Sequence, residues 1–569
     1  MKVKGFLSGM ITLVLLGTIL AACGNNSNNG GNAGNAASDP GTTTNTNANS
    51  PSDSSTGKKD LVMNYRADPP ALDVSIAEAA ATFTILGAIS EGLYRLDKDM
   101  QPQPALAESM PEISADGLTY TIKLRSGLVW ADGSPLTAND FVYSYRRTLD
   151  PNTKATYAFM LAWIKGGNDV LNSKTPEDIE ANKQKLGVQA KDDTTLVITL
   201  DHPIPFFTAQ LAFLNFYPQN EKFVEAQGDK SGADADKVLG AGPFKLTSWN
   251  HEQSLVLEKN DKYWDAANVK LDKVTLNIVK DTNTGLNLYE TGETDYADVK
   301  GDQMKAYDGK PDLQMKKELV TGYLNFQQTK VPAFANLKVR QAFSMAVDLK
   351  GVTDLVLING SVPATGFVPA GNQDGNGKEF RGVVGDTRDA FDAAKAKTLL
   401  QEGLAESGTT LPKLSIIGDD TETGKKLLEY IVQQWKTNLG VDVVAEPLPH
   451  ANRLDRELSK NYTIVSTLWG ADYNDPMTWL DMFLTGGSLN TQDWSNADYD
   501  KLIKDAQIQT DLAKRADEMV QAEKILMSEA AVMPLYFRSS PFVINPKLKD
   551  LILPPYGPDF ELKWAHFEG

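Results

Sequence analysis

Between Tyr462 and Thr467 the chain reads Tyr-Thr-Ile-Val-Ser-Thr, a β-branched run that predicts a buried strand. Turn formers follow it: Gly470, Asp472, Asn474 and the pair Asp475-Pro476. Trp469 and Asp472 therefore stand where a buried strand leaves its sheet, and open α/β sheets bind ligands beyond the carboxyl ends of their strands. Taken alone, the stretch also reads as an ordinary loop with a core tryptophan and a turn-capping aspartate.

Other segments give the same alternation of patterns. Asp60 to Tyr65 reads as a first strand, broken by Asp68-Pro69-Pro70. Ala77 to Ile89 is helical in pattern. Leu118 to Leu124 alternates as a strand does. A helix capped near Thr137 runs through Arg147 and is stopped by Asp150-Pro151. Arg340, Phe343 and Ala346 share one helical face, and Gly242-Pro243 suggests a sheet edge or bulge.

The N-terminus departs from these patterns. Met1-Lys2-Val3-Lys4 is basic, and Gly5 to Ala22 is apolar and uncharged. The run ends in Leu20-Ala21-Ala22-Cys23 and Gly24, which resembles the lipobox of bacterial lipoproteins. An uncleaved membrane helix is the alternative, since about 18 apolar residues nearly span a bilayer. The chain has a single cysteine, and it stands at the lipobox position, which favours a signal peptide over 1–22 and a lipidated Cys23. Up to residue 59 there follow almost only Gly, Asn, Ser, Thr, Ala, Asp and Pro, the composition of a disordered tether. Its expected reach is roughly 30–35 Å. The body from residue 60 onward is expected outside the membrane and free of disulfides.

With 569 residues there is room for two or three domains, and 41% hydrophobic and 23% charged residues are ordinary for a globular chain. A net charge of −18 argues against nucleic acid as a partner. No catalytic, cofactor or metal site emerges. His251-Glu252 has no second histidine at zincin spacing, no G-x-S-x-G elbow occurs, and Gly240-x-Gly242 lacks the third glycine of a dinucleotide loop. The run from Asn372 to Gly377 half resembles a calcium loop, but its twelfth position is Val383, so a Gly-rich surface turn is expected.

Several segments together resemble the extracellular solute-binding proteins of peptide ABC transporters. They are Glu91 to Asp97, Leu124 to Arg147, Gly240 to Leu246, Leu257 to Trp264, Gly292 to Asp295, Leu337 to Asp348 and Ala394 to Leu404. Ala471-Asp472-Tyr473-Asn474, followed by an acid and Pro476, resembles the oligopeptide-binding branch. The resemblance implies an α/β fold of two lobes, periplasmic-binding-protein-like, with mixed sheets flanked by helices and a subdomain inserted in the first lobe. On this chain the first lobe is expected over 60–97, 187–320 and 534–569, the insertion over 98–186 and the second lobe over 321–533.

The implied function is a non-enzymatic, monomeric, lipid-anchored receptor on the outer face of the cell membrane, of a kind that suits a Gram-positive cell. It would bind oligopeptides between its lobes and deliver them to transmembrane ABC permease subunits. The resemblance places peptide backbone along Leu468-Trp469-Gly470 and near Asp68, with Tyr473 beside them. It places the peptide ammonium on Asp472, a peptide side chain on Trp469 and, near the carboxyl end, Arg456. Pro69 and Pro70 lack N–H donors and shorten the first-lobe ladder. Other readings are a metal chelate, opine or sugar on the same scaffold, a peptide pheromone receptor, or an exported hydrolase. No nucleophile–base motif supports the last.

Overall fold

The computed structural model describes residues 58–568. The expected signal peptide, Cys23 and all but the end of the expected tether lie outside the described residues. Among the described residues no helix is long and apolar enough to cross a membrane.

One mixed sheet of 11 strands carries the fold. Its centre is a pair of long antiparallel strands, Leu313–Phe326 and Met533–Ile544. Their register shifts between Lys317 and Thr321. An irregularity of this kind bends and twists a strand, and here it divides the sheet. On one side lie Tyr296–Asp298, Asp60–Tyr65, Lys273–Ile278, Ser254–Lys259 and, at the edge, Phe244–Asn250. On the other lie Ile464–Gly470, Leu414–Asp419 and Val443–Leu448.

Each side has its own apolar core. In the first, Leu61, Met63, Leu255, Val274 and Leu276 of the strands meet Ile85 and Leu86 of the helix Ala80–Ile89. That helix is apolar on all sides and nearly every residue is buried, as a helix sunk in a core must be. It starts three residues later than the sequence pattern predicts, because Ala79 is still extended. Gly240 and Gly242 press on its end: a Cβ at Gly240 would stand 1.9 Å from the Ile89 carbonyl oxygen, so only glycine fits. Pro243 then precedes the edge strand, where its missing donor does no harm. In the second core, Leu324, Phe326, Ile416 and Ile464 pack on Val339, Ala342 and Phe343, with Trp435 behind them. Arg340, on the same helix, is buried and donates to the carbonyls of Phe334, Ala335, Glu529 and Ala530.

A separate four-stranded sheet joins Glu112–Ile113, Thr119–Lys123, Thr195–Thr199 and Val188–Asp192. The helix Ala138–Leu149 covers it, with the expected Thr137 cap closed reciprocally by Asp140. Two of these strands lie on each side of the boundary expected at 186/187, so one sheet spans it. The core beneath this sheet is continuous with Ala471, Tyr473, Trp479 and Phe483 from the far side of the molecule.

Candidate functional site

The strand predicted at 462–467 forms at Ile464–Gly470. It reaches past Thr467 because its partner is long: Phe326 pairs with Ile464, and Val320 with Gly470. The opposite edge is different. Leu414–Asp419 meets this strand only at Ile464 and Val465. From Ser466 to Gly470 that edge carries no strand, and Leu468 is 40% exposed. Backbone donors and acceptors there are free to pair with an added extended chain. Trp469 is fixed beside this edge by its indole N–H, which donates to the Thr478 carbonyl at 2.8 Å.

Beyond the strand the chain turns and sets Asp472 inward. Its amide N–H meets the Thr478 hydroxyl at 3.4 Å, and its Oδ1 accepts from the Tyr157 hydroxyl at 3.1 Å. Tyr157 is held by Phe83 and Phe213, with ring centroids at 6.0 and 5.3 Å. Among the described residues no cation pairs with Asp472. Burial pushes its pKa up to about 6, against the opposing hydrogen bonds from Tyr157 and Thr478. Asp472 and Tyr473 line a cavity of about 50 Å³, with Phe83, Gln210, Phe213 and Tyr217 among the opposing walls.

The neighbouring residues brace this turn. Tyr473 stacks on Phe206 with centroids 4.9 Å apart and planes 6° from parallel. The guanidinium of Arg515 lies over the other ring, 5.2 Å from the Phe206 centroid, and grips Asp475 through two bonds of 2.7 and 2.9 Å. Asn474 accepts from the Asn372 side chain and the Gln373 amide. The Gly-rich run is exposed from Gly375 to Lys378, as a surface turn is, but Asn372 and Asp374 at its start are buried beneath the site. Asp374 spends its carboxylate on the amides of Asn376 and Lys378.

Leu468, Trp469, Gly470, Asp472 and Tyr473 are thus brought together, but Asp68 and Arg456 are not joined to them. Asp68 accepts from the Trp249 indole at 2.8 Å and the Glu252 amide at 3.1 Å, and so pins the Phe244–Ser254 hairpin of its own lobe. Arg456 donates to Glu446 at 2.8 Å and to the Asn461 carbonyl. One helical turn earlier, the buried Arg453 does reach the open strand, donating to the Thr467 hydroxyl at 2.8 Å and to Asp419 at 3.0 Å. Tyr157, Phe206 and Gln210 carry no local sequence signal, since they sit in short irregular helices far from Asp472 in the chain. Among the described residues no group of three or more His, Cys, Asp or Glu is placed to hold a metal ion.

Known proteins share this architecture. The description of bacterial extracellular solute-binding proteins, family 5, matches residues 101–491. The dipeptide-binding protein DppE of Bacillus subtilis is 35% identical over 510 residues, covering 90% of this chain and 92% of the relative. The structure of Listeria monocytogenes OppA bound to peptide superposes with a TM-score of 0.75 at 37% identity, over 90% of this chain and 100% of that one. That of the pheromone receptor PrgZ does so at 0.76 and 30% identity, with 90% and 100% covered. The chain belongs to the bacterial extracellular solute-binding proteins of family 5.

Proposed function

We propose that this protein captures short peptides with a free amino terminus outside the cell and delivers them to the permease of an ABC importer. One observation carries the reading: a half-buried carboxylate without a cation, Asp472, stands at the end of a strand with an open edge. A charge buried alone is costly, so the site is completed by a ligand that brings a positive group. A peptide does so with its ammonium, and its backbone pairs with Leu468, Trp469 and Gly470 as an added strand. A sugar or an anionic chelate offers neither. The relatives' names agree, one binding dipeptides and one solved with peptide bound.

The rest follows from this role. No chemistry is performed on the ligand. The first lobe comprises 60–97, 200–320 and 538–569, and the second 321–537, joined through the paired long strands. The insertion runs over 98–199, so that its sheet is whole. The protein acts as a monomer, anchored by lipid on Cys23 through the polar tether. PrgZ, a pheromone receptor of the same fold, favours a second reading in which the peptide is a signal rather than a nutrient. Only ligand selectivity separates the two. Native mass spectrometry of the protein as purified from cells tests the proposal. Released masses should form a set of short peptides, and a single non-peptide mass contradicts it.

A further inference from the structure

The cavity beside Asp472 holds one side chain whose polarity nothing in the protein uses. Gln210 is wholly buried, yet both its carboxamide nitrogen and its carboxamide oxygen lack any hydrogen-bond partner. Buried polar atoms are nearly always paired, so a carboxamide left open at both ends calls for an explanation. Its position is not accidental slack. Gln210 ends the helix Phe207–Gln210, and its amide N–H donates to the carbonyl of Phe206, the ring stacked on Tyr473. Gln210 lines the same cavity as Asp472, which approaches it from the opposite lobe. The wall includes the apolar Phe83, Ala212, Phe213 and Leu214, and its polar members, Arg95, Asp97, Tyr217, Tyr556 and Glu561, make no hydrogen bond with the carboxamide.

We propose that Gln210 selects the first side chain of the bound peptide, favouring a short one that both donates and accepts a hydrogen bond: serine, threonine or asparagine. This rests on the reading of Asp472 as the seat of the peptide ammonium. With the ammonium fixed there, the side chain on the same Cα is the part of the ligand nearest the cavity. A cavity of about 50 Å³ suits a group of a few heavy atoms, given that one water needs about 10–15 Å³. A hydroxyl or carboxamide can answer both ends of Gln210, whereas an alkyl group of the same shape leaves both unpaired. Sites built around a buried hydrogen-bonding group discriminate strongly against analogues that lack the partner.

Threonine and valine have the same shape, so they isolate the hydrogen bond from size. The test is titration calorimetry of the full chain with Thr-Ala-Ala and Val-Ala-Ala, on the wild type and on Gln210→Met. The wild type should prefer the threonine peptide by about tenfold, the worth of one ordinary net hydrogen bond. Gln210→Met keeps the volume and removes both open polar ends. It should bring the ratio near one and raise the melting temperature of the ligand-free protein. Equal binding of the two peptides by the wild type overturns the proposal while leaving the peptide reading intact, and that outcome needs no variant. A tenfold preference that survives in Gln210→Met, or in Gln210→Leu, also overturns it. Failure of both peptides to bind overturns the peptide reading itself.

Discussion

The hydroxyl of Tyr157 donates to Oδ1 of Asp472 at 3.1 Å, although 315 positions separate the two residues in the chain. The contact joins the inserted region to the turn after the open strand. The Thr478 side chain also hydrogen-bonds the Asp472 carboxylate. Tyr157→Phe should therefore weaken peptide binding by about fivefold to tenfold, the effect of one lost hydrogen bond to the anion. Calorimetry at pH 7 checks this, and unchanged affinity would mean that Tyr157 only packs.

The pH dependence has a definite sign. Burial raises Asp472 to about 6 in the ligand-free protein, above its ordinary value of 3.8. Between those two values the unfolded chain loses its proton first, so this group's contribution to stability is full below about 4 and is lost as pH rises through about 6. Asp481, pushed up to about 7 by burial and by Asp472 and Asp475, acts in the same sense. Asp472→Asn should melt higher than wild type at pH 7 when ligand-free, and the gap should close toward pH 4. Binding of an ammonium needs the ionised carboxylate, so affinity should fall about tenfold per pH unit below pH 6. A flat affinity between pH 5 and pH 7 would contradict the assignment.

Arg515 and Asp475 form a buried pair, 1% and 3% exposed, under the site. Arg515→Met leaves Asp475 charged, buried and alone, which costs about 3–5 kcal/mol. Denaturant titration should show a loss of that size. A loss under 1 kcal/mol would mean that Asp475 finds another partner or becomes protonated.

Phe206 stacks on Tyr473 and lies near the Arg515 guanidinium, and so holds one lobe against the other. Phe206→Ala should speed peptide release by about tenfold while association changes little, because closure contacts act mainly on dissociation. Stopped-flow measurement of release separates the two rates. An unaltered release rate would remove Phe206 from the closure.

Much of this site was legible in the sequence because its elements are local. Thr463 to Thr467 is β-branched, Gly470 to Pro476 is turn-forming, and Thr137 with Asp140 is a capping box. The strand's extension over Leu468, Trp469 and Gly470 was not local, since it is imposed by pairing with Val320, Thr321 and Gly322. Helical phase explains the arginines: Arg453 faces the open strand, and Arg456, three residues on, faces Glu446. The resemblance places peptide backbone near Asp68, and the Trp249 and Glu252 donors of the adjacent hairpin hold its carboxylate. Tyr157, Phe206 and Gln210 reach the site only through the packing of the lobes, which no spacing records. The sheet that spans 186/187 was hidden for the same reason, since Thr119 to Lys123 pairs with strands beyond an intervening set of helices.

The most direct measurement is titration calorimetry of one tripeptide, with a free and with an acetylated amino terminus, against wild type and Asp472→Asn. If Asp472 receives the ammonium, wild type binds the free form at least about thirtyfold more tightly, in line with the loss of a buried charge partner. Asp472→Asn then binds both forms weakly and nearly alike. Equal affinity of wild type for the two forms would contradict the account at its centre.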